Sequence, residues 1–259
     1  MSAAPSANYL EAITYLMTET RNYLNGLDLI PRQDSAADSI LLGLLSKSIV
    51  QTEAIVFLIA KGFEEEAFGL CRTNIEIQLT IRYLTNRDTI QRCRRYFYYF
   101  AKDKNEWFKL IHKYYPDMKL KVRDDAPNLE KLAAAYKSPH KWHDCPNGLK
   151  DFAAEVDSFE TREDGSPLDA LFYYEILYKW MSHYVHVTEP SIESTHVTLP
   201  GDSFRVHPGA GTSRLGNKAL RPAFLSVHLN LLRVLRYLNM EYPEIMAGKY
   251  EAIVSEYLR

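Results

Sequence analysis

From Tyr9 onward the apolar residues return every three or four positions, segment after segment, and this period is the strongest constraint on the fold. Tyr9, Leu10, Ile13, Leu16, Met17, Tyr23 and Leu24 make the first such run, and Gly26 supplies its stop. After Pro31, Ser35 and Asp38 form an S-x-x-D start signal for a second helix reaching Gly62. That helix is apolar nearly all round, from Ile40 and Leu41 to Leu58 and Ile59, which predicts a central position. Glu64, Glu65 and Glu66 suit the amino end of a third helix, expected to run to Asn86. A fourth starts at Asp88 and continues until Tyr115 meets Pro116, about 40 Å if unbroken.

The period then fails over residues 117–165, where Pro127, Pro139, Pro146 and Gly148 separate short helical patches at 129–137 and 149–156. A fifth long helix opens with Ser166 as N-cap, Pro167 at the first turn and Asp169, and is expected to carry to Val187. Residues 188–217 form an irregular, Gly- and Pro-punctuated excursion. Within it, 195–199 and 203–207 flank Pro200-Gly201-Asp202 and could pair as a small hairpin. Two helices close the chain, from about Arg221 to Asn239 and from Pro243 to Leu258. The expected architecture is all-α: a single-domain bundle over 1–259, with five long helices plus shorter ones.

Composition narrows the function classes without naming one. Lys and Arg number 31 against 33 Asp and Glu, a net charge of -2, which argues against a nucleic-acid binder relying on overall basicity. Three scattered cysteines (Cys71, Cys93 and Cys145) suit free thiols in a reducing compartment rather than a disulfide framework. Met1 to Asn8 has no signal-peptide pattern, and Lys47 and Glu53 interrupt the apolar stretch around 54–60. A cytoplasmic protein with no membrane partner is the expectation. The 18 Tyr, 11 Phe and 3 Trp suit a core or an interface, and a homodimer through aromatic-rich helices would use them.

Two helices carry the candidate chemistry. On the third, Phe68, Arg72, Ile75, Leu79 and Tyr83 share one face, while Leu70, Ile77, Ile81 and Leu84 fall opposite. Arg72 therefore points into packing and requires a partner, of which Glu76, one turn on, is the nearest. An internal ion pair that fixes helix register is one reading; a guanidinium fork lining a cleft for an anion is the other. On the Ser166-capped helix, Tyr173, Ile176, Leu177, Trp180, Met181 and Tyr184 make an apolar arc. Glu175, Lys179, Ser182 and His186 line the other side, as a solvated face or as a polar cluster under the following loop. His140, His143 and Cys145, and His183, His186, His196 and His207, lack metal-site spacing, so neither metal nor cofactor is expected. The run Arg92-Cys93-Arg94-Arg95-Tyr96 mixes bases with aromatics, a pattern found both at RNA contacts and on wet helix edges.

The stretch Leu70-Cys71-Arg72-Thr73-Asn74-Ile75-Glu76 leading to Arg82-Tyr83-Leu84, the Trp142 connector, and Tyr174 through Ser182 to His186 resemble the bacterial domain-of-unknown-function family 5677, over about 39–238. That resemblance implies a mostly helical bundle and no established activity. A remoter similarity is to HEPN-type bundles of bacterial defence and toxin–antitoxin systems, whose R-x(4–6)-H ribonuclease motif has Arg where this chain has Lys179. Two classes follow. A binding or scaffold module would use Arg72, Glu76 and Glu175 toward a small anionic ligand, RNA or a partner. A phosphodiesterase would use His186 as general acid/base with Ser182 and Lys179 assisting.

Overall fold

The computed structural model describes residues 7–27, 35–117, 143, 148–159, 170–185, 197–198, 205–206 and 216–257. Four long helices come first: α1 (Ala7–Asn25), α2 (Ser35–Ala60), α3 (Glu64–Asn86) and α4 (Thr89–Tyr114), followed by α5 (Leu149–Phe159). Helix α6 (Ala170–Phe172) passes through a π-helical turn (Tyr173–Tyr178) into α7 (Lys179–Val185). Strands β1 (Val197–Thr198) and β2 (Arg205–Val206) pair antiparallel, Val197 with Val206 and Thr198 with Arg205, as the small hairpin expected there. Helices α8 (Gly216–Tyr237) and α9 (Glu244–Tyr257) follow. The fold is all-α, and one apolar cluster runs from Tyr9 on α1 to Ile253 on α9.

Helix α3 occupies the centre. Both its apolar faces are covered, with Phe68, Ile75 and Leu79 buried on one and Ile77, Ile81 and Leu84 on the other. It packs against α2 and α8 on one flank and against α5, the π turn and α7 on another. Helix α2, expected to be central, keeps an outer face instead: Val50 and Phe57 are exposed. Residues 36–60 are long and apolar enough to cross a membrane by length and composition alone. Here they pack on α1, α3, α4 and α8.

Polar side chains set the register of this core. Asn74 Nδ2 donates to Thr52 Oγ1 at 2.8 Å, Asn230 Nδ2 to Ser48 Oγ at 3.2 Å, and Ser226 Oγ to Gln78 Oε1 at 2.9 Å. These bonds tie α2, α3 and α8 together, and a slip of one turn would leave each group buried without its partner, at about 1–3 kcal/mol apiece.

Local chemistry explains where several helices stop. Gly62, at φ +83°, ends α2 with the Gly62 N–H on the Ile59 carbonyl and the Phe63 N–H on that of Leu58, a Schellman closure. Asn239, at φ +56°, ends α8 the same way on Arg236 and Leu235. Helix α8 starts at Gly216 rather than near Arg221, running through Pro222. Packing overrides the proline here: Ala219, Leu220, Ala223 and Phe224 are all fully buried. The Ser166 cap and the 129–137 patch lie outside the described residues. Where α6 becomes visible, its Ala170 and Leu171 N–H groups donate to the two Asp157 carboxylate oxygens of α5, each at 2.8 Å.

Candidate functional site

The helix bearing Arg72 and the helix bearing Ser182 do meet, and Tyr178 is the residue that joins them. Arg72 Nη2 donates to Tyr178 Oη at 2.7 Å, and that hydroxyl donates to Glu76 Oε1 at 2.7 Å. Arg72 and Glu76 also approach directly, at 3.4 Å, and the guanidinium lies 4.7 Å from the Tyr178 ring centre. Burial and the Glu76 hydrogen bond push the Tyr178 hydroxyl up to about 12, against the weaker opposing pull of Arg72. At neutral pH it is therefore a proton-bearing link, donor to the acid and acceptor from the base.

A π turn makes this link. The Lys179 N–H reaches back five residues to the Tyr174 carbonyl, so one extra residue is accommodated between Tyr173 and Tyr178. The extra residue turns Tyr178 toward α3 and carries Ile176, expected on the apolar arc, out to solvent at 53 % exposure. Beyond the turn, Trp180 packs edge-on against Phe68 at 4.8 Å and Met181 is fully buried.

The other residues of the polar stripe are engaged with near neighbours. Glu175 forms ion pairs with Lys179 and, at 3.2 Å, with Lys150 of α5. Those two ammoniums hold its carboxyl below the usual range, Lys179 first. Glu175 in turn raises the Lys179 ammonium. Ser182 Oγ donates to the Tyr178 carbonyl at 2.8 Å, the back-bond of a helical serine. His186, like His140, Cys145, His196 and His207, lies outside the described residues. Among the described residues no group of three His, Cys, Asp or Glu could hold a metal ion.

Because Arg72 serves an internal network, its shape matters as well as its charge. Replacing Arg72 with Met should cost less stability than replacing it with Ala. Met keeps much of the packed stem, whereas Ala adds a cavity to the unpaired Glu76. Urea unfolding of the two variants checks this, and equal losses would show that the stem contributes nothing.

A second constellation, at the corner where α3 turns into α4, was only half visible in the Arg-Cys-Arg-Arg-Tyr run. Tyr83, Arg87, Asp88, Gln91, Arg92, Arg95 and Glu155 line a cavity of about 350 Å³. Asp88, at φ +47°, turns the chain between the helices. Arg92 is nearly buried and held three ways: Nη1 donates to the Tyr83 carbonyl at 2.5 Å, Nη2 to Glu155 Oε1 at 2.5 Å, and the guanidinium sits 3.8 Å from the Tyr83 ring centre. Tyr83 stacks on Phe152 at 4.0 Å, and His143 meets Phe152 edge-on at 4.7 Å. Arg87 shares the same Glu155 oxygen at 3.2 Å. Among the described residues that line this cavity, three are arginines and two are carboxylates.

No curated protein and no solved structure matches this chain. The family model described as a family of unknown function (DUF5677) matches residues 38–204, from the first turn of α2 to the residue before β2 and including both the Tyr178 link and the arginine-lined cavity. On that match, which spans well over half of its length, the chain belongs to the family of unknown function DUF5677.

Proposed function

We propose that this protein is a helical binding module whose ligand is a small anionic molecule, held in the cavity at the α3–α4 corner. The observation that carries the reading is the shared carboxylate: Arg87 and Arg92 divide one Glu155 oxygen, and Arg95 brings a third guanidinium to the same space. An anion entering there would meet planar donors oriented before it arrives, which is how guanidiniums recognise phosphate and carboxylate. The volume suits a small ligand rather than a duplex or a folded partner. The Arg72–Tyr178–Glu76 network, which the sequence leaves open between a register-fixing ion pair and an anion fork, is closed within itself and joins the π turn to α3.

Titration with inorganic phosphate, pyrophosphate and a mononucleotide, followed by calorimetry, tests the proposal. Wild type should bind at least one of these saturably, more weakly as salt rises. Arg87→Ala and Arg95→Ala should each weaken binding about tenfold or more, the loss of one charge-assisted contact. Unchanged affinity in both variants, or no saturable binding by wild type, overturns it. Incubation with RNA oligonucleotides in EDTA separates the enzymatic reading. Intact RNA accords with a binding module, whereas cleavage abolished by His186→Ala would establish a phosphodiesterase in its place.

A further inference from the structure

Helix α4 changes surroundings along its length. Arg92, Cys93 and Ala101 are buried, yet beyond Ala101 large side chains face outward. Trp107 is 61 % exposed, Leu110 51 % and Tyr114 69 %, and Phe100 begins the series at 45 %. With Tyr96 and Asp103, these residues recur at alternating steps of four and three: Tyr96, Phe100, Asp103, Trp107, Leu110, Tyr114. That is the seam of a two-helix coiled coil; Tyr96 is half-buried against the core, and from Phe100 onward the seam lies on the outside. Single exposed apolar residues are ordinary, but large apolar side chains recurring along one helix face mark an interaction surface.

We propose that this stripe pairs with the same stripe of a second copy, the two α4 helices running antiparallel about a two-fold axis near Asn105. The area suffices: the exposed fractions of these side chains amount to on the order of 500 Å² per copy, or about 1,000 Å² across the pair, the threshold for a specific interface. The polar residue in the seam selects the occupant and the direction. Parallel pairing sets Asp103 against its own copy, two carboxylates in a seam that must lose water. Antiparallel pairing sets Asp103 opposite Trp107 of the second copy, whose indole N–H is a donor without acceptor capacity. The same register sets Phe100 opposite Leu110 and Tyr96 opposite Tyr114. A lipid surface would instead draw the Asp103 carboxylate toward the acyl boundary, where it has no partner. The inference stands apart from the anion site, since none of the seam residues lines that cavity.

Sedimentation velocity of the full chain over a micromolar concentration series reads the outcome. Wild type should be dimeric, and Trp107→Glu or Leu110→Glu should raise the dissociation constant about 30-fold or more, with an unchanged helical circular dichroism spectrum because both positions are exposed. In a Cys145→Ser background, Phe100→Cys mixed with Leu110→Cys should form a disulfide-linked pair, and neither variant alone should. A wild-type monomer throughout, a dimer indifferent to both glutamates, or self-linking of Leu110→Cys overturns the proposal. So does a monomer that sediments with phospholipid vesicles.

Discussion

Replacing Glu155 with Ala should lower the free energy of unfolding by about 3–5 kcal/mol, the usual penalty for stripping the counterion from a buried charge. The Arg92 side chain is only 8 % exposed, and Glu155 is its one ion-pair partner among the described residues. Glu155→Gln keeps the volume and an acceptor, so it should cost distinctly less. Phosphate makes the measurement more telling. Without Glu155, Asp88 is the one carboxylate left among the described residues lining the cavity with Arg87, Arg92 and Arg95, so an added anion should recover part of the lost stability by binding the folded state. Urea unfolding with and without phosphate reads both effects. A loss below about 1 kcal/mol would show that water satisfies Arg92 and that its pairing is incidental.

Phe152→Ala should be comparably severe, at about 3–5 kcal/mol, because the ring is fully buried and its removal leaves a cavity next to Tyr83. Its consequence extends to the site. Tyr83 stacks on Phe152 and underlies the Arg92 guanidinium, so slack at Phe152 passes directly to the donor that faces the cavity. Phe152→Leu should retain most of the stability yet still weaken phosphate binding. If Phe152→Leu binds phosphate as wild type does, the stack contributes to the fold and not to orientation.

The elements that were legible in the sequence are those whose signals are local. Helix α3 runs from Glu64 to Asn86 as read, because the acidic first turn and the two apolar faces sit within the helix itself. The Arg72–Glu76 pair is legible for the same reason, being one turn apart. Tyr178 was not, since a 100° wheel assumes a uniform helix and the π turn breaks that assumption between Tyr173 and Tyr178. Glu155 was not, since it lies 63 residues from Arg92 and only packing brings them together. The start of α8 was misplaced because Pro222 reads as a first-turn residue, while burial of Ala219 and Leu220 extends the helix upstream.

The π turn also bears on how this chain should be compared with its relatives. Such a turn is the form a single-residue insertion takes when both flanks of a helix are already packed and neither can rotate. A relative without the inserted residue would run through the same stretch as an ordinary α-helix, with flanking faces unchanged. Position counting across the turn then fails by one. Against such a relative, a residue correspondence drawn from Ser182 must open a one-residue gap within Tyr173–Tyr178, or the equivalents of Tyr178 and Ser182 will be assigned to their neighbours.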